Sequence, residues 1–142
     1  MRIGILHPGA MGASIGLSLL ASAHEVGWVS EGRSADSRNR AKQFEAFTAL
    51  DEMAVWADGI ISICPPDAAI AQAQAVYAKA FDGLYVDANA IAPNSAKEIA
   101  QIFGAGAYVD GGIIGPPALS AGTTRLYLSG QHAASVASWF SQ

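Results

Sequence analysis

A chain of 142 residues, 51 % hydrophobic and 14 % charged, can bury one continuous core and reads as a single soluble domain spanning 1–142. Its net charge of −4 offers no basic surface for a phosphate backbone, so small molecules rather than nucleic acids are the expected partners. The single cysteine, Cys64, excludes an intramolecular disulfide framework and a cysteine-based structural zinc site, which fits a cytoplasmic location.

The apolar run from Arg2 to Leu6 is interrupted by Gly4 and followed by His7, Pro8 and Gly9. It therefore cannot be the core of a signal peptide or a spanning helix, and no membrane association is expected. It reads as a strand ending in a Pro8-Gly9 turn, after which Met11, Ile15, Leu19 and Leu20 recur at helical spacing. His24 to Val29 is a second strand, and Ala35 to Phe47 reads as a helix with Ala41, Phe44 and Phe47 inward. A short helix over Asp51 to Trp56 precedes Gly59 to Ile63, whose near-continuous apolar run suits a parallel strand covered on both faces. Pro66 and Asp67 open a helix through Tyr77, since proline tolerates the first turn and an acid favours its positive end.

Leu84 to Ala88 is the next strand, and Pro93 opens a helix with Ala96, Ile99, Ala100 and Phe103 on one face. A strand from Ala107 to Asp110 leads into DGGIIGPP, Asp110 to Pro117, which reads as a rigid glycine- and proline-rich loop. Thr124 to Ser129 alternates as a strand, and His132 to Phe140 is a last helix. This alternation predicts an α/β fold of Rossmann type: a doubly wound, mainly parallel sheet with helices on both faces and ligands beyond the carboxyl ends of the strands.

Gly9 and Gly12 match the second and third glycines of a dinucleotide fingerprint, where a missing side chain lets backbone approach a pyrophosphate and lets helix pack on strand. The cradle expected is His7, Gly9, Ala10, Met11 and Gly12, with His7 where the first glycine would stand. Past the second strand, Glu31 suits a ribose 2′-hydroxyl and so NAD, whereas Gly32, Arg33, Ser34 and Arg38 offer a guanidinium cluster and a hydroxyl for a 2′-phosphate. NADP is the cofactor favoured, with NAD second. Cys64, Pro65 and Pro66, after the Gly59 to Ile63 strand, form a rigid loop placed to pass under the ribose or nicotinamide. Asn89, at the end of its strand, has an amide suited to the nicotinamide side or to catalysis, and is equally suited to supporting the turn. Gly112 and Gly115 belong to a loop that suits a substrate-side wall. Tyr108, Tyr127, Trp28, Trp56 and Trp139 are expected in the core or at an interface. His24 and His132 have no metal-ligand spacing, so no metal is expected.

The motifs HPGAMG, EGRS, SICPP, DANAIAP and VDGGIIGPP, in that order across nearly the whole chain, resemble the N-terminal domain of the β-hydroxyacid dehydrogenase and 6-phosphogluconate dehydrogenase-like superfamily. DANAIAP, DGGIIGPP and RLYLSG are closest to its phosphogluconate dehydrogenase-like and imine-reductase-like branches. The resemblance implies NADP(H)-dependent hydride transfer between nicotinamide and a small hydroxy acid, carbonyl or imine. It also implies a second, all-helical domain, which carries the catalytic lysine or other proton donor and forms a homodimer; that domain is outside these residues. Ile114, Gly115 and Pro116 stand where hydroxyacid dehydrogenases carry Ser-Gly-Gly, which argues against an ordinary hydroxy-acid substrate. Two rival readings are a non-catalytic dinucleotide-sensing module and a methyltransferase using S-adenosylmethionine, and the Arg33 and Ser34 cluster suits a phosphate better than a methionine.

Overall fold

The computed structural model describes residues 1–140. Seven strands form one sheet: β1 (Arg2–Leu6), β2 (Glu25–Val29), β3 (Glu45–Phe47), β4 (Gly59–Ser62), β5 (Leu84–Asp87), β6 (Tyr108–Ile114) and β7 (Arg125–Ser129). Their spatial order is β3-β2-β1-β4-β5-β6-β7; all neighbours are parallel except β6 and β7, which pair antiparallel. The helices are α1 (Ala10–Ala21), α2 (Ala35–Arg40), α3 (Leu50–Trp56), α4 (Ala69–Tyr77), α5 (Pro93–Phe103) and α6 (Ala133–Ala137). The order reverses between β1 and β4, which opens a crevice at the carboxyl ends of the strands there.

Side-chain alternation along the strands builds two cores. Ile3 and Ile5 of β1, Ile61 of β4, Val86 of β5 and Val109 of β6 face one side with α1, Val136 and Trp139. Leu6, Ile60, Tyr85 and Tyr108 face the other, with Met53, Val76 and Ile99 of α3, α4 and α5. Trp28 and Trp139 are buried, as is Tyr108, whereas Tyr127 is exposed on β7.

Two sequence expectations are corrected. The helix expected over Ala35 to Phe47 stops at Arg40, and Glu45–Phe47 is the edge strand β3. Phe44 and Phe47 pack on opposite faces of the sheet, Phe44 with the α1 side and Phe47 against Trp56. One continuous helix face could not reach both. The loop expected from Asp110 to Pro117 is extended backbone as far as Ile114, because β7 pairs with every residue from Asp110 to Ile114. Tertiary pairing thus overrides the weak strand tendency of Gly111 and Gly112. Elsewhere the boundaries move by small steps: Pro66–Ala68 and Ser138–Phe140 are single 3-10 turns flanking shorter α-helices. Among the described residues no helix is long and apolar enough to cross a membrane.

Candidate functional site

The crevice at the strand-order reversal holds a cleft of about 360 Å³ lined by His7, Pro8, Gly9, Ala10, Met11 and Gly12 from the β1–α1 loop, Arg33 and Ser37 from around α2, and Ile63, Cys64 and Pro65 after β4. Its floor follows from the local backbone. Gly9 N donates to His7 O at 2.7 Å, and Gly9 O accepts from Ala13 N at 2.8 Å, which starts α1. The N–H groups of Ala10, Met11 and Gly12 are therefore the free donors of the first helical turn, and they sit where the helix dipole favours an anion.

The two glycines have different reasons to be glycine. A Cβ on Gly12 would stand 2.9 Å from the His7 carbonyl oxygen, so the fold itself requires its absence. Gly9 has an extended backbone, φ −68° and ψ −167°, and a Cβ there would meet nothing within 4 Å. Neither strain nor packing within the protein demands a glycine at position 9. The space belongs to the cleft.

His7 occupies the left-handed region at φ 59°, uncommon for a residue with a Cβ. Burial, and next the positive charge of Arg33, push its imidazole below the ordinary pKa, which favours its neutral form. The loop is braced from α2, where Arg40 Nε donates to Pro8 O at 3.4 Å.

Of the groups expected around a 2′-phosphate, Arg33 lines the cleft and the others do not. Ser34 caps α2 by accepting from Ser37 N at 3.2 Å. Arg38 donates to the Ser30 carbonyl at 2.9 Å, and Gly32 forms the exposed turn before Arg33 with φ 71°. Ser37 takes a place in the cleft that sequence reasoning did not give it; its signal was its position in the first turn of the helix that follows Arg33. Glu31 is exposed and outside the lining.

Cys64 and Pro65 form the far wall, while Pro66 turns away into the 3-10 turn that precedes α4. Burial pushes the Cys64 thiol above its ordinary pKa, which makes it a poor nucleophile at neutral pH. Asn89 is buried behind this wall and does not line the cleft. Its Oδ1 accepts from Cys64 N at 2.7 Å and its Nδ2 donates to Ser62 Oγ at 3.2 Å, so the amide is committed to protein partners. Gly112 lies within β6 and Gly115 at the start of the β6–β7 connection; neither lines the cleft.

A larger groove of about 540 Å³ runs between α1, β7 and residues 118–122. Its lining is mostly apolar, with Ile15, Leu17, Leu126 and Leu128, and it contains no charged side chain. It offers nothing to balance a phosphate. Among the described residues no three His, Cys, Asp or Glu come together as a metal site.

The strand order and the loop at its reversal define a Rossmann-type α/β domain. No protein-family profile matches the chain, and no curated protein matches it. Solved structures do. Mycobacterium tuberculosis 3-hydroxyisobutyrate dehydrogenase, described with L-serine, superposes with a TM-score of 0.80 at 21 % identity over 96 % of this chain and 49 % of that one. A reductive aminase from Aspergillus terreus, described in complex with NADPH and ethyl levulinate, gives 0.78 at 21 % over 97 % and 50 %. An imine reductase from Streptomyces aurantiacus gives 0.74 at 17 % over 97 % and 52 %. The chain thus spans about half the length of the structures it matches, and shares with them the fold that its motifs led us to expect.

Proposed function

We propose that this chain is the NADP(H)-binding portion of an oxidoreductase that moves hydride between nicotinamide and a small carbonyl, imine or hydroxy-acid substrate. The observation that carries this reading is Gly9: the N-cap of α1, where neither packing nor strain calls for a missing side chain, in the floor of a cleft. A pyrophosphate approaching the free N–H groups supplies the reason. The donor chemistry fits the group. Backbone N–H groups of α1 would hold the pyrophosphate, and Arg33 with Ser37 would meet a 2′-phosphate, a pairing that NAD would leave unused. Bound nicotinamide would supply the hydride donor or acceptor.

The test is a calorimetric titration of the protein with NADPH and with NADH, repeated with Arg33→Ala. We expect saturable binding, tighter for NADPH, with the preference reduced by about tenfold in the variant. Equal affinities that Arg33→Ala leaves equal would return the choice to NAD. Absence of saturable binding of either nucleotide at millimolar concentration would overturn the proposal.

A further inference from the structure

Behind the cleft, the carboxyl ends of three neighbouring parallel strands carry a polar row on one face of the sheet. Ser62 of β4 is the register partner of Asp87 of β5, and Asp87 is the register partner of Asp110 of β6. Ser62 and Asp87 are fully buried. Asp87 Oδ1 accepts from Asn89 N at 2.9 Å, while its Oδ2 has no hydrogen-bond partner among the described residues. Asn89, held at its backbone by Asp87, extends its side chain back across to β4. There it accepts from Cys64 N and donates to Ser62 Oγ, and Cys64 Sγ lies 3.4 Å from the same Nδ2. Cys64 is the first residue in this chain of contacts that lines the cleft.

We propose that Asp87 and Asn89 are positioning residues that latch β5 to the end of β4, and so fix the Cys64–Pro65 wall without touching the nucleotide. The proposal rests on the reading of the cleft as a nucleotide site. Three features support it. Both polar ends of the Asn89 amide are already engaged. Its burial keeps it from the cleft. The Cys64 N–H has Asn89 Oδ1 as its acceptor at 2.7 Å, so the pairing of that backbone group depends on one side chain. Placing a binding wall through a buried partner that is itself oriented by a second group is the arrangement that keeps a site within the tolerance binding needs.

Cys64 is also a built-in reporter, the one cysteine of the chain. The experiment compares wild type, Asn89→Ala and Ser62→Ala, each confirmed folded by circular dichroism. It measures NADPH affinity, hydrogen exchange of the Cys64 amide, and the rate of Cys64 alkylation by iodoacetamide. Asn89→Ala should weaken NADPH by about tenfold and accelerate both Cys64 readouts by a similar factor. Ser62→Ala, which leaves the Cys64 N–H bond to Asn89 Oδ1 in place, should move all three in the same direction by less, and it carries the test if Asn89→Ala does not fold. Weakened binding with unchanged Cys64 exchange and alkylation would mean that Asn89 contacts the nucleotide directly, and would overturn the latch. Loosened Cys64 with unchanged affinity would overturn it equally. If wild type fails to bind NADPH, the nucleotide reading fails and takes the binding role of the latch with it. The two Cys64 readouts then decide the latch itself, and no change in them overturns it.

Discussion

Replacing Asp87 by asparagine should stabilise this domain at neutral pH. Asp87 has no exposed surface, one oxygen without a partner, and Asp110 as its register neighbour. Burial, above all, raises its pKa from the ordinary 3.8 to about 6, and the charge of Asp110 adds to the rise. Between these two values the unfolded chain ionises while the folded one stays protonated, so stability from this group is complete below the lower value and is lost as pH rises through the upper one. At about 1.4 kcal/mol per tenfold, the loss at neutral pH comes to about 3 kcal/mol. Asparagine removes the charge and keeps an oxygen to accept from Asn89 N–H, with about 1–2 kcal/mol less from the weaker, neutral bond and from an NH2 group placed where Oδ2 has no partner. The net gain is about 1–2 kcal/mol above pH 7, or a rise in Tm of about 3–6 °C for a domain of this size. It should shrink to nothing or reverse at about pH 4.5. Urea unfolding of both proteins at the two pH values measures the difference, from which Asp58, held low by the backbone N–H of Arg2, cancels. An Asp87→Asn protein that is less stable than wild type at neutral pH, or whose advantage does not change with pH, would refute the reasoning.

Gly9→Ala should cost no more than about 1 kcal/mol in urea unfolding, the loss of a favourable N-cap residue, because its Cβ enters open space, yet weaken NADPH by about tenfold or more. A large loss of stability would show that the glycine is structural. Gly12→Ala should behave in the opposite way, costing about 1–3 kcal/mol of stability as its Cβ meets the His7 carbonyl, a cost that the better helix propensity of alanine only partly offsets. Arg40→Ala removes the brace on Pro8 O, and the long, only partly buried bond limits the loss to under about 1 kcal/mol, read as faster hydrogen exchange at Gly9 and Ala10.

Strong local signals made most of the fold legible in the sequence. Isoleucine runs in β1 and β4, prolines opening the segments at Pro66 and Pro93, and the β1–loop–α1 unit all stand where periodicity and turn chemistry put them. The failures lie where long-range pairing decides. Phe44 and Phe47 mimic a helical face, and only the presence of β2 and Trp56 makes them part of a turn and an edge strand. Gly111 and Gly112 look like loop until β7 pairs with them. The same limit applies at the site. The glycine loop, Arg33 and the Cys64–Pro65 wall were visible as local motifs, and the fold brings them to one cleft. That Ser34 and Arg38 satisfy their own helix and strand ends, that Ser37 enters the cleft, and that Asn89 faces back to β4 depend on side-chain directions set by neighbours distant in sequence.

We propose that the cleft at the strand-order reversal takes a dinucleotide on the loop from His7 to Gly12. Calorimetric titration of NADPH into wild type beside Gly9→Asp tests it most directly, since the carboxylate would occupy the open space at Gly9 and repel a pyrophosphate. Saturable one-site binding to wild type, lost in a variant that remains folded, is the expected result. Binding of equal strength to both proteins would contradict it and place the nucleotide elsewhere.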